Sequence, residues 1–425
     1  MNNQRVVITG LGVVAPNACS VDAFEQAIRN GISGITHQED LQALQFSCCI
    51  AGKPDVSQEL IQENFTELEL KNFNSTAILY GVIAGLQAWR DAGLPIQGIT
   101  QPDFDSGTIF GNCNSGSDKF REAIYKIDDG QTRRLGSHVV PQTMVNGVSA
   151  YLGGKLGLGN QVTTNASACA TGTESLLLCY ERIKSGKAQR MLAGSTSDSG
   201  PYIWAGFDAM KVCTYKHNDN PAAGSRPMSA TASGFVPGSG AGALLLESLD
   251  AALARGARIY AEVAGGNINS GGQMQGGSMT APNASAVQRC IIDALKDANT
   301  LPKDIDAINA HLTATAKDAD EIKNWSIALQ RSGSEFPFIN ALKSHIGHCL
   351  SASGSIECVA AILQLYKGFL FPNLNCEDVH PDIAAIIEIT KIPQQLIEQP
   401  LNTIAKASFG FGDVNACVIF KKYTS

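Results

Sequence analysis

The chain is poor in charge and lacks the motifs of several common protein classes. Only 17% of its 425 residues are charged, and 39 acidic residues against 32 basic ones give a formal net charge of −7. A nucleic-acid binder that relies on bulk positive charge is therefore excluded. The sequence also has no glycine-rich phosphate loop of the nucleotide-binding type and no run of about 18 uninterrupted apolar residues, so neither nucleotide chemistry nor a membrane span is expected.

Cysteine is plentiful but is not arranged for metal binding. None of the twelve cysteines belongs to a Cys-x-x-Cys pair or has zinc-ligand spacing. Most of them lie in apolar runs, where a free thiol behaves as a small hydrophobic side chain. We therefore expect no metal site, no disulfide framework and a reducing, cytoplasmic environment.

The sequence does contain the material for a large folded core. Apolar residues make up 44% of the chain, and 42 glycines allow many tight backbone turns. The length is typical of roughly two to three domains or of one large duplicated unit. Short β-branched runs alternate with longer helical patterns, which predicts an α/β protein with mainly parallel sheets. The predicted strands are Val6–Thr9, Gln189–Ala193, Gly242–Glu247, Ala261–Ala264, Ala307–Asn309, Phe338–Ala341 and Asn415–Phe420, and the predicted helices are Ser75–Ala92, Cys169–Lys184, Ala284–Ala298, Asp318–Leu329 and Gly354–Tyr366.

An internal repeat is visible in the pattern of turns and strands. Two segments, beginning at Gly238 and Gly410, run from a Gly-x-Gly turn into an apolar strand, and the β-branched start near Arg258 resembles the one at Arg5. Each of the two segments is a candidate for closing one half of a duplicated fold. The opening apolar stretch is interrupted from Thr9 onward, which favours a buried strand followed by a turn over a signal peptide.

A cysteine among small residues is the first candidate for chemistry. Cys169 stands where a helix is predicted to begin, in the segment Ser-Ala-Cys-Ala-Thr-Gly. Unpaired N–H groups and the helix dipole at that position favour the thiolate, and small neighbours allow a substrate carbonyl to approach. The pattern is typical of a nucleophile elbow, with a buried structural cysteine as the alternative.

Two later segments add basic side chains after predicted strands. His311 leaves the end of one predicted strand, and Lys343 precedes His348 by five residues after another. The ends of strands in open α/β folds are where ligands gather. Of the two neighbouring histidines, we expect His348 to serve the site and His345 to face away. A glycine-rich turn at residues 408–413 is expected to bring a backbone N–H and a mobile aromatic side chain to the same place.

In order and spacing, these segments resemble the β-ketoacyl-acyl-carrier-protein synthases, condensing enzymes of the thiolase superfamily, over essentially the whole chain. The resemblance is to the elongating type with a Cys-His-His triad, since thiolases use a second cysteine in the late turn and initiating synthases use a Cys-His-Asn triad. The matching blocks are Ser167–Gly172, Arg226–Pro227, Gly234–Val236, Gly238–Gly242, Asn309–Thr315, Lys343–His348, Gly354–Glu357 and Ser408–Gly412.

The resemblance implies an α/β, thiolase-like fold with five αβαβα layers, built from two duplicated halves. Residues 1–250 would form the N-terminal half with the nucleophile, and residues 251–425 the C-terminal half with both catalytic histidines. It also implies a homodimer that acts on substrates carried by an acyl carrier protein and needs no separate cofactor. The expected reaction is a decarboxylative Claisen condensation of an acyl-Cys intermediate with the malonyl carrier protein, in fatty-acid or polyketide chain elongation.

The same resemblance assigns a catalytic role to each matching residue. Cys169 would hold the acyl chain, and its N–H together with that of Phe411 would form the oxyanion hole. His311 and His348 would bind the malonyl thioester carbonyl and stabilise its enolate. Lys343 would be the catalytic lysine that supports His311, and Glu357, Glu321 and Asp318 would form the supporting polar network.

Contacts with the substrate arm and the partner protein are implied in the same way. Thr313 and Thr315 would touch the pantetheine arm beside Phe411, which resembles the gating aromatic residue of the family. The adjacent pair Arg133 and Arg134 matches a basic pair at the docking surface for the acidic carrier protein.

Departures from the family pattern occur beside the expected site. Leu312 stands where Gly is usual, and its bulk is expected to narrow the pantetheine channel or shift His311. The segment from His311 to Asp318 is one residue shorter than the usual pattern. Asp413 and Val414 replace Gly and Thr after the gate, and Asp tolerates positive φ better than most residues. Together these departures favour a specialised or partner-dependent synthase.

Two alternative functions stay open at this point. One is a weakly active, chain-length-factor-like subunit that pairs with a second ketosynthase-like subunit in a heterodimer. Leu312 and Asp413 favour this alternative, whereas Cys169 argues against it because chain-length factors have lost the nucleophile. The other is a malonyl decarboxylase that releases CO2 without chain growth.

Overall fold

Strands and helices alternate along the whole chain in the computed structural model, which describes residues 4–424. The strands of the described part are β1 (Val6–Val14), β2 (Ile35–His37), β3 (Ile50–Gly52), β4 (Ser106–Gly111), β5 (Val162–Thr163), β6 (Arg190–Ser197), β7 (Gly240–Ser248), β8 (Ala261–Ser270), β9 (Ala307–Asn309), β10 (Phe338–Asn340), β11 (Phe369–Leu370), β12 (Ile397–Glu398), β13 (Thr403–Gly410) and β14 (Val414–Lys421). The α-helices are α1 (Val21–Arg29), α2 (Glu39–Ala43), α3 (Gln58–Asn64), α4 (Glu67–Leu70), α5 (Thr76–Asp91), α6 (Ser117–Asp128), α7 (Val139–Thr143), α8 (Gly147–Leu156), α9 (Thr171–Lys184), α10 (Pro201–Ala209), α11 (Leu249–Ala254), α12 (Ala284–Asp297), α13 (Asp318–Leu329), α14 (Lys343–Ile346), α15 (Ser353–Lys367) and α16 (Pro381–Ala384).

Two five-stranded sheets with the same strand order form the centre of the fold, and hydrogen bonds join them into one continuous ten-stranded sheet. The N-terminal sheet has the order β5-β4-β6-β7-β1, and the C-terminal sheet has the order β10-β9-β13-β14-β8. If the five strands of each half are numbered by their order along the chain, both sheets have the strand order third, second, fourth, fifth, first. This repeated topology confirms the predicted duplication. The two sheets join where β1 and β8 pair antiparallel, Val6 opposite Val263.

Each sheet is mixed, so the expectation of mainly parallel sheets is wrong. The third, second and fourth strands of each half pair in parallel. The fifth strand, β7 or β14, pairs antiparallel with both of its neighbours. In the C-terminal half the reason is a hairpin, because only three residues connect β13 to β14.

Helices cover both sheets and fill the space between them. The outer faces are covered by α5 and α8 on one sheet and by α12 and α13 on the other, while α9 and α15 lie between the sheets and contact both. The result is the predicted five-layered α/β architecture. All residues of α15 except the last two are buried, as expected for a helix enclosed on every side. No helix in residues 4–424 is long and apolar enough to cross a bilayer.

The first strand continues through the two glycines at which a turn was expected. Gly10 and Gly12 lie within β1, which is buried over its full length. A Cβ at Gly10 would come within 2.1 Å of the carbonyl oxygen of Ala88, and one at Gly12 within 1.9 Å of that of Ala84, both on α5. These glycines therefore allow a helix to approach the strand closely, and they do not mark a turn.

The division between residues 250 and 251 falls inside the short helix α11, which follows the last strand of the N-terminal sheet. This boundary stays a prediction. Its outer ends, residues 1–3 and 425, lie outside the described residues.

Candidate active site

Cys169 lies on a sharp elbow that leads from the end of β5 into α9. Ala168 has a φ of 49°, in the left-handed region that residues with a side chain rarely adopt. A single 3₁₀ turn, Ala168–Ala170, precedes the helix, which begins two residues later than the predicted start at Cys169. The Thr171 hydroxyl lies 2.7 Å from the Ala168 carbonyl oxygen, to which it donates, and accepts the Ser167 N–H at 2.9 Å. These bonds fix the backbone on both sides of the thiol.

Two buried histidines come to this thiol from the other half of the fold. His311 follows β9, and His348 follows β10 and the short helix α14. The Cys169 sulfur and one ring nitrogen of each histidine all lie within 4.8 Å of one another. His348 Nε2 is 3.1 Å from Cys169 Sγ, and the two imidazole rings stand nearly perpendicular, with centroids 5.6 Å apart. The structure thus brings the three predicted residues together.

Hydrogen bonds at Nδ1 determine the tautomer of both imidazoles. The Leu350 N–H donates to His348 Nδ1 at 3.2 Å, and the Ser353 hydroxyl lies 2.9 Å from the same atom. The Lys343 ammonium group lies 3.4 Å from His311 Nδ1. An ammonium group and a backbone N–H can only donate, so Nδ1 accepts in both rings. The proton of each neutral ring is therefore carried by Nε2.

Burial keeps both imidazoles in the neutral form. It lowers the pKa of His311 and of His348 well below the ordinary value, and the nearby Lys343 ammonium group lowers both further. Each ring consequently offers one neutral Nε2–H donor near pH 7. Two such donors suit an oxygen on which negative charge develops during a reaction.

The resting thiol is protonated, contrary to the thiolate character expected from its place before a helix. Burial raises the pKa of Cys169 to about 11, although the Lys343 ammonium group and the Phe411 N–H act in the opposite direction. Loss of hydration outweighs the favourable charges at this depth. The Phe411 N–H lies close enough to the sulfur to lower the pKa of the thiol, and its role in an oxyanion hole stays a prediction.

Lys343 supports His311 and is itself held by a buried acid. Its ammonium nitrogen lies 2.5 Å from the His311 carbonyl oxygen and forms an ion pair with Glu357. The Glu321 carboxylate accepts the N–H groups of His311 and Leu312 at 2.8 and 2.7 Å. Burial raises the pKa of Glu321 to about 7. Lysine and acid thus hold the His311 backbone from two sides.

The loop after His311 is organised by Asp318 in spite of the missing residue. The Asp318 carboxylate accepts the N–H groups of Thr313, Ala314 and Thr315 at 3.0 to 3.4 Å. The hydroxyls of Thr313 and Thr315 lie 3.1 Å apart, and both side chains are half-buried. Leu312 does not enter a channel, because its side chain is fully buried in the hydrophobic cluster beneath the loop.

Phe411 heads a row of aromatic rings that ends at His348. It lies in the three-residue loop of the hairpin between β13 and β14 and is half-buried. Its ring centroid is 6.2 Å from that of Phe207, which is 5.6 Å from that of Phe235. Phe235 in turn packs edge-on against His348 at 5.2 Å. The sequence analysis identified the first and last members of this row but assigned no role to the two rings between them.

Asp413 fastens a neighbouring loop to the same hairpin. Its φ is 63°, so the left-handed conformation expected at this position is present. Its buried carboxylate accepts the N–H groups of Gln273 and Asn283 at 2.9 and 2.8 Å, and the Gly412 N–H donates to the Met279 carbonyl oxygen at 2.8 Å. The loop that contains Gln273 and Met279 is therefore tied directly to the residues beside Phe411.

Two family models cover most of the chain. Residues 3–252 match the N-terminal domain of β-ketoacyl synthases, and residues 260–377 match their C-terminal domain. The chain belongs to the β-ketoacyl synthase family. It is therefore a condensing enzyme of the acyltransferase type, and the predicted family is confirmed.

Similar proteins match this synthase over its full length. It is 32% identical to 3-oxoacyl-(acyl-carrier-protein) synthase 2 of Vibrio harveyi and 31% identical to 3-oxoacyl-(acyl-carrier-protein) synthase 1 of Escherichia coli K12, with 99% of both chains covered in each comparison. A β-ketoacyl synthase from Burkholderia phymatum STM815 superposes with a TM-score of 0.90 at 27% identity, over 99% of this chain and 100% of that one.

Two further solved structures come from polyketide assemblies. One is a type II polyketide acyl-carrier protein in complex with its ketosynthase bound to the hexaketide, with a TM-score of 0.85 at 28% identity. The other is the ishigamide ketosynthase/chain length factor, with a TM-score of 0.87 at 26% identity. In both comparisons 99% of this chain and 100% of the other are covered.

One buried charge of the synthase escaped the sequence analysis. Lys406, on β13, is fully buried, and its ammonium nitrogen lies 2.8 Å from Glu357 Oε2. No strand is predicted there from the sequence, because residues 408–413 have the pattern of a turn, whereas β13 extends to Gly410. The available signal was the alternation of Ile404, Lys406 and Ser408 with small apolar residues, which places the lysine on one face of a strand.

The predicted docking pair lies outside the catalytic cluster. Arg133 and Arg134 belong to the 3₁₀ turn Thr132–Arg134, and both are exposed. Their side chains are thus available to a partner protein.

Proposed function

We propose that this synthase extends an acyl chain by two carbons, through decarboxylative Claisen condensation of an acyl group on Cys169 with a malonyl group on an acyl carrier protein. The observation that carries the proposal is the buried cluster of one thiol and two neutral imidazoles within 4.8 Å. A nucleophile and two N–H donors at one point are what acyl transfer and enolate formation require.

The first step transfers the acyl group from the carrier to the enzyme. The sulfur of Cys169 forms a bond to the thioester carbonyl carbon, and the N–H groups of Cys169 and Phe411 stabilise the resulting oxyanion. The bond to the carrier sulfur then breaks, and the carrier leaves as a thiol with the proton that Cys169 gave up. Because the resting thiol is protonated, deprotonation accompanies this attack.

The second step generates the carbon nucleophile. The bond between the malonyl carboxylate and the α-carbon breaks, CO2 leaves, and the electron pair moves into the thioester as an enolate. The Nε2–H groups of His311 and His348 donate to the enolate oxygen. Neutral donors stabilise this charge without transferring a proton to the carbon that must react.

The third step joins the two chains. The enolate carbon attacks the acyl carbonyl on Cys169, and the oxyanion again lies at the N–H groups of Cys169 and Phe411. The carbon–sulfur bond breaks, the thiolate takes up one proton from solvent, and a 3-oxoacyl thioester remains on the carrier. No step requires a separate cofactor.

The remaining predicted residues guide the substrate and the carrier. The half-buried hydroxyls of Thr313 and Thr315 hydrogen-bond the pantetheine arm, and Phe411 acts as the gate. The exposed Arg133 and Arg134 supply positive charge for the acidic carrier on a chain whose net charge is −7.

We further propose that the synthase acts as a dimer of identical chains. Helix α6 exposes an apolar stripe at helical spacing, formed by Phe120, Ile124 and Ile127 and widened by Tyr125. The short strand β5 ends the sheet in the same half. A heterodimer with a second ketosynthase-like subunit is the alternative, since one similar structure is a ketosynthase/chain length factor. A cytoplasmic location stays a prediction that rests on the twelve free cysteines.

The second candidate function is the weakly active partner subunit. It is favoured by Asp413, whose carboxylate ties a loop to the gate in a way that the general family pattern does not require. The intact Cys-His-His cluster disfavours it.

Intact-protein mass spectrometry tests the proposal. The purified chain is incubated with acyl carrier proteins that bear acyl groups of several lengths, and malonyl carrier protein is then added. We expect a mass gain on Cys169 that disappears in Cys169→Ala, followed by a 3-oxoacyl product. No gain with any acyl group would favour the partner-subunit function, and CO2 release without chain growth would favour the decarboxylase.

A further inference from the structure

A second ammonium group is buried beneath the catalytic cluster, beside Lys343. Lys406 and Glu357 both have no solvent exposure. Lys406 Nζ lies 2.8 Å from Glu357 Oε2 and 3.0 Å from Ser408 Oγ, and it donates to the Ala407 carbonyl oxygen. The other oxygen of Glu357 binds Lys343. One buried carboxylate therefore lies between two buried ammonium groups.

Such a buried arrangement of charges lowers the stability of the folded protein, which suggests that the second ammonium group has a function. Two ammonium groups share the single carboxylate of Glu357, and a buried charge without a full partner carries a large desolvation penalty. The lysine stands on a strand among small apolar residues, where an apolar side chain meets no such penalty. Glu357 Oε2 accepts no well-aligned hydrogen bond, so its link to Lys406 is mainly electrostatic.

The strand pattern directs this charge toward the site. Ile404, Lys406 and Ser408 alternate with Ala405 and Ala407, so the lysine points to the central layer that contains α15. Glu357 lies on α15, four residues after Ser353. The contact thus connects β13 to the helix whose start positions His348.

A buried amide with no partner lies next to the same lysine. Lys406 pairs in register with Asn309 on β9, and the side-chain oxygen and nitrogen of Asn309 are both buried without a hydrogen-bond partner. Asn309 comes two residues before His311. The surroundings of Lys406 are therefore polar on the side that faces the catalytic histidine.

We propose that Lys406 is a positioning residue for the malonyl half-reaction, which holds Glu357 in place and through it keeps Lys343 on His311. The inference rests on the function proposed above. The chain of contacts runs from Lys406 to Glu357, from Glu357 to Lys343, and from Lys343 to both the carbonyl oxygen and Nδ1 of His311. Acyl transfer to Cys169 uses the elbow and the Phe411 N–H, and the hydrogen bonds that fix the elbow involve none of Lys406, Glu357 and Lys343.

The charge of Lys406 also acts on the two imidazoles. Burial is the main cause that lowers the pKa of both histidines, and the Lys343 ammonium group is the second. The Lys406 ammonium group lowers both pKa values further. At His311 the neighbouring His348 also lowers the pKa. Removing the Lys406 charge raises both pKa values. The acid limb of the pH–rate profile for malonyl decarboxylation then moves to higher pH, because a proton on Nδ1 of His311 displaces the Lys343 hydrogen bond.

Charge-removing variants test the role of Lys406. Lys406→Met keeps most of the side-chain volume, and Lys406→Gln is a second neutral variant in case the first does not fold. Lys421→Met, on the adjacent strand β14, is the matched control, since Lys421 bonds only to backbone carbonyl oxygens among its described contacts. Each purified variant is assayed for acylation of Cys169, for CO2 release from malonyl carrier protein, and for the pH dependence of that release.

We expect Lys406→Met to lower malonyl decarboxylation by roughly 10- to 100-fold, as small misplacements of a reacting group do, while Cys169 acylation stays near the wild-type rate. The acid limb should move to higher pH in this variant and not in Lys421→Met. A Lys406→Ala variant should regain part of its decarboxylation rate with ethylammonium chloride and not with choline chloride at equal ionic strength.

Other outcomes overturn the inference in distinguishable ways. Unchanged decarboxylation in a folded Lys406→Met or Lys406→Gln variant shows that the charge has no catalytic use. An equal loss of both half-reactions with no shift of the pH profile shows a merely structural role. If wild-type Cys169 is not acylated at all, the proposed function fails first.

Discussion

Gly172 on α9 and Gly354 on α15 touch backbone to backbone at the centre of the molecule. A Cβ on Gly172 would lie 2.3 Å from a backbone nitrogen of α15, and one on Gly354 would lie 2.6 Å from a backbone nitrogen of α9. The two helices are equivalent in the duplicated halves, and both begin beside this contact. Their close crossing is what brings Cys169 and His348, which precede the two helices, within 3.1 Å of each other.

Substitution at this crossing should destabilise the protein. We expect Gly354→Ala to lower the free energy of unfolding by about 1 to 3 kcal/mol, because the added methyl group meets backbone that cannot rotate away. Chemical denaturation measures the effect. In the control Gly154→Ala, on α8, the new Cβ has nothing within 4 Å, so a gain of about 0.5 to 1 kcal/mol is expected. Equal stability of the two variants would contradict a tight central contact.

Replacing His311 should separate the two half-reactions. We expect His311→Ala to lose roughly 100- to 1000-fold in malonyl decarboxylation, as the removal of one oxyanion donor does, while Cys169 is still acylated. Rates are measured per folded molecule. The control is His345→Ala, since His345 is buried against Phe371, its ring 5.5 Å away, outside the cluster. If His345→Ala loses decarboxylation activity to a comparable degree, the loss in His311→Ala reflects damage to the fold and not the removal of a hydrogen-bond donor.

Glu321 should make stability depend on pH in the acid range. Burial raises its pKa from 4.5 to about 7, so between these values the folded protein keeps a proton that the unfolded chain releases. The contribution of Glu321 to the free energy of unfolding therefore falls by about 3 kcal/mol as the pH rises through this window. We expect this slope to be smaller in Glu321→Gln.

Urea unfolding at pH 5 and pH 8 checks this prediction. The control is Glu335→Gln, which changes an exposed carboxylate on the same half of the chain. If Glu321→Gln and wild type lose the same stability between the two pH values, the carboxylate is ionised over the whole range.

Asp413 should control the motion of the loop beside the gate. In Asp413→Asn the backbone conformation is kept, because Asn also tolerates positive φ, but the negative charge that accepts two N–H groups is lost. We expect the rate of amide hydrogen exchange at Gln273 or Asn283 to rise about tenfold, because one charge-assisted hydrogen bond that protects the amide is lost. Mass-spectrometric exchange of the wild type, Asp413→Asn and the exposed control Asp320→Asn gives the comparison. Unaltered exchange would mean that other contacts hold the loop.

Strong local patterns gave the best predictions of secondary structure. The strand Ala307–Asn309 and the helix Asp318–Leu329 have the predicted bounds. The strand is an apolar run that ends at a polar residue, and the helix has a regular helical repeat of apolar residues, so each pattern is compatible with few other conformations. The catalytic cluster was predictable for a different reason: its members lie in short motifs whose order along the chain matches the family. Their mutual distances follow from the packing of the two halves, which no local pattern contains.

Three of the failures concern residues whose surroundings come from distant parts of the chain. Gly10 was interpreted as the end of a strand because the helix that packs on it lies about 70 residues later, beyond the reach of local conformational rules. Cys169 was expected to ionise because its position before a helix is visible in sequence, whereas its burial is not. Lys406 escaped notice because its carboxylate partner comes from another layer.

The position of β1 between β7 and β8 has a consequence for biosynthesis. Its nine residues are all buried, and the strand pairs with residues 241–248 on one side and 261–263 on the other. Because β1 precedes both neighbours by more than 200 residues along the chain, it finds them only after a delay of roughly ten seconds or more during synthesis. Until then an apolar strand with two open edges is exposed, so the nascent chain depends on chaperones for longer than the finished enzyme does.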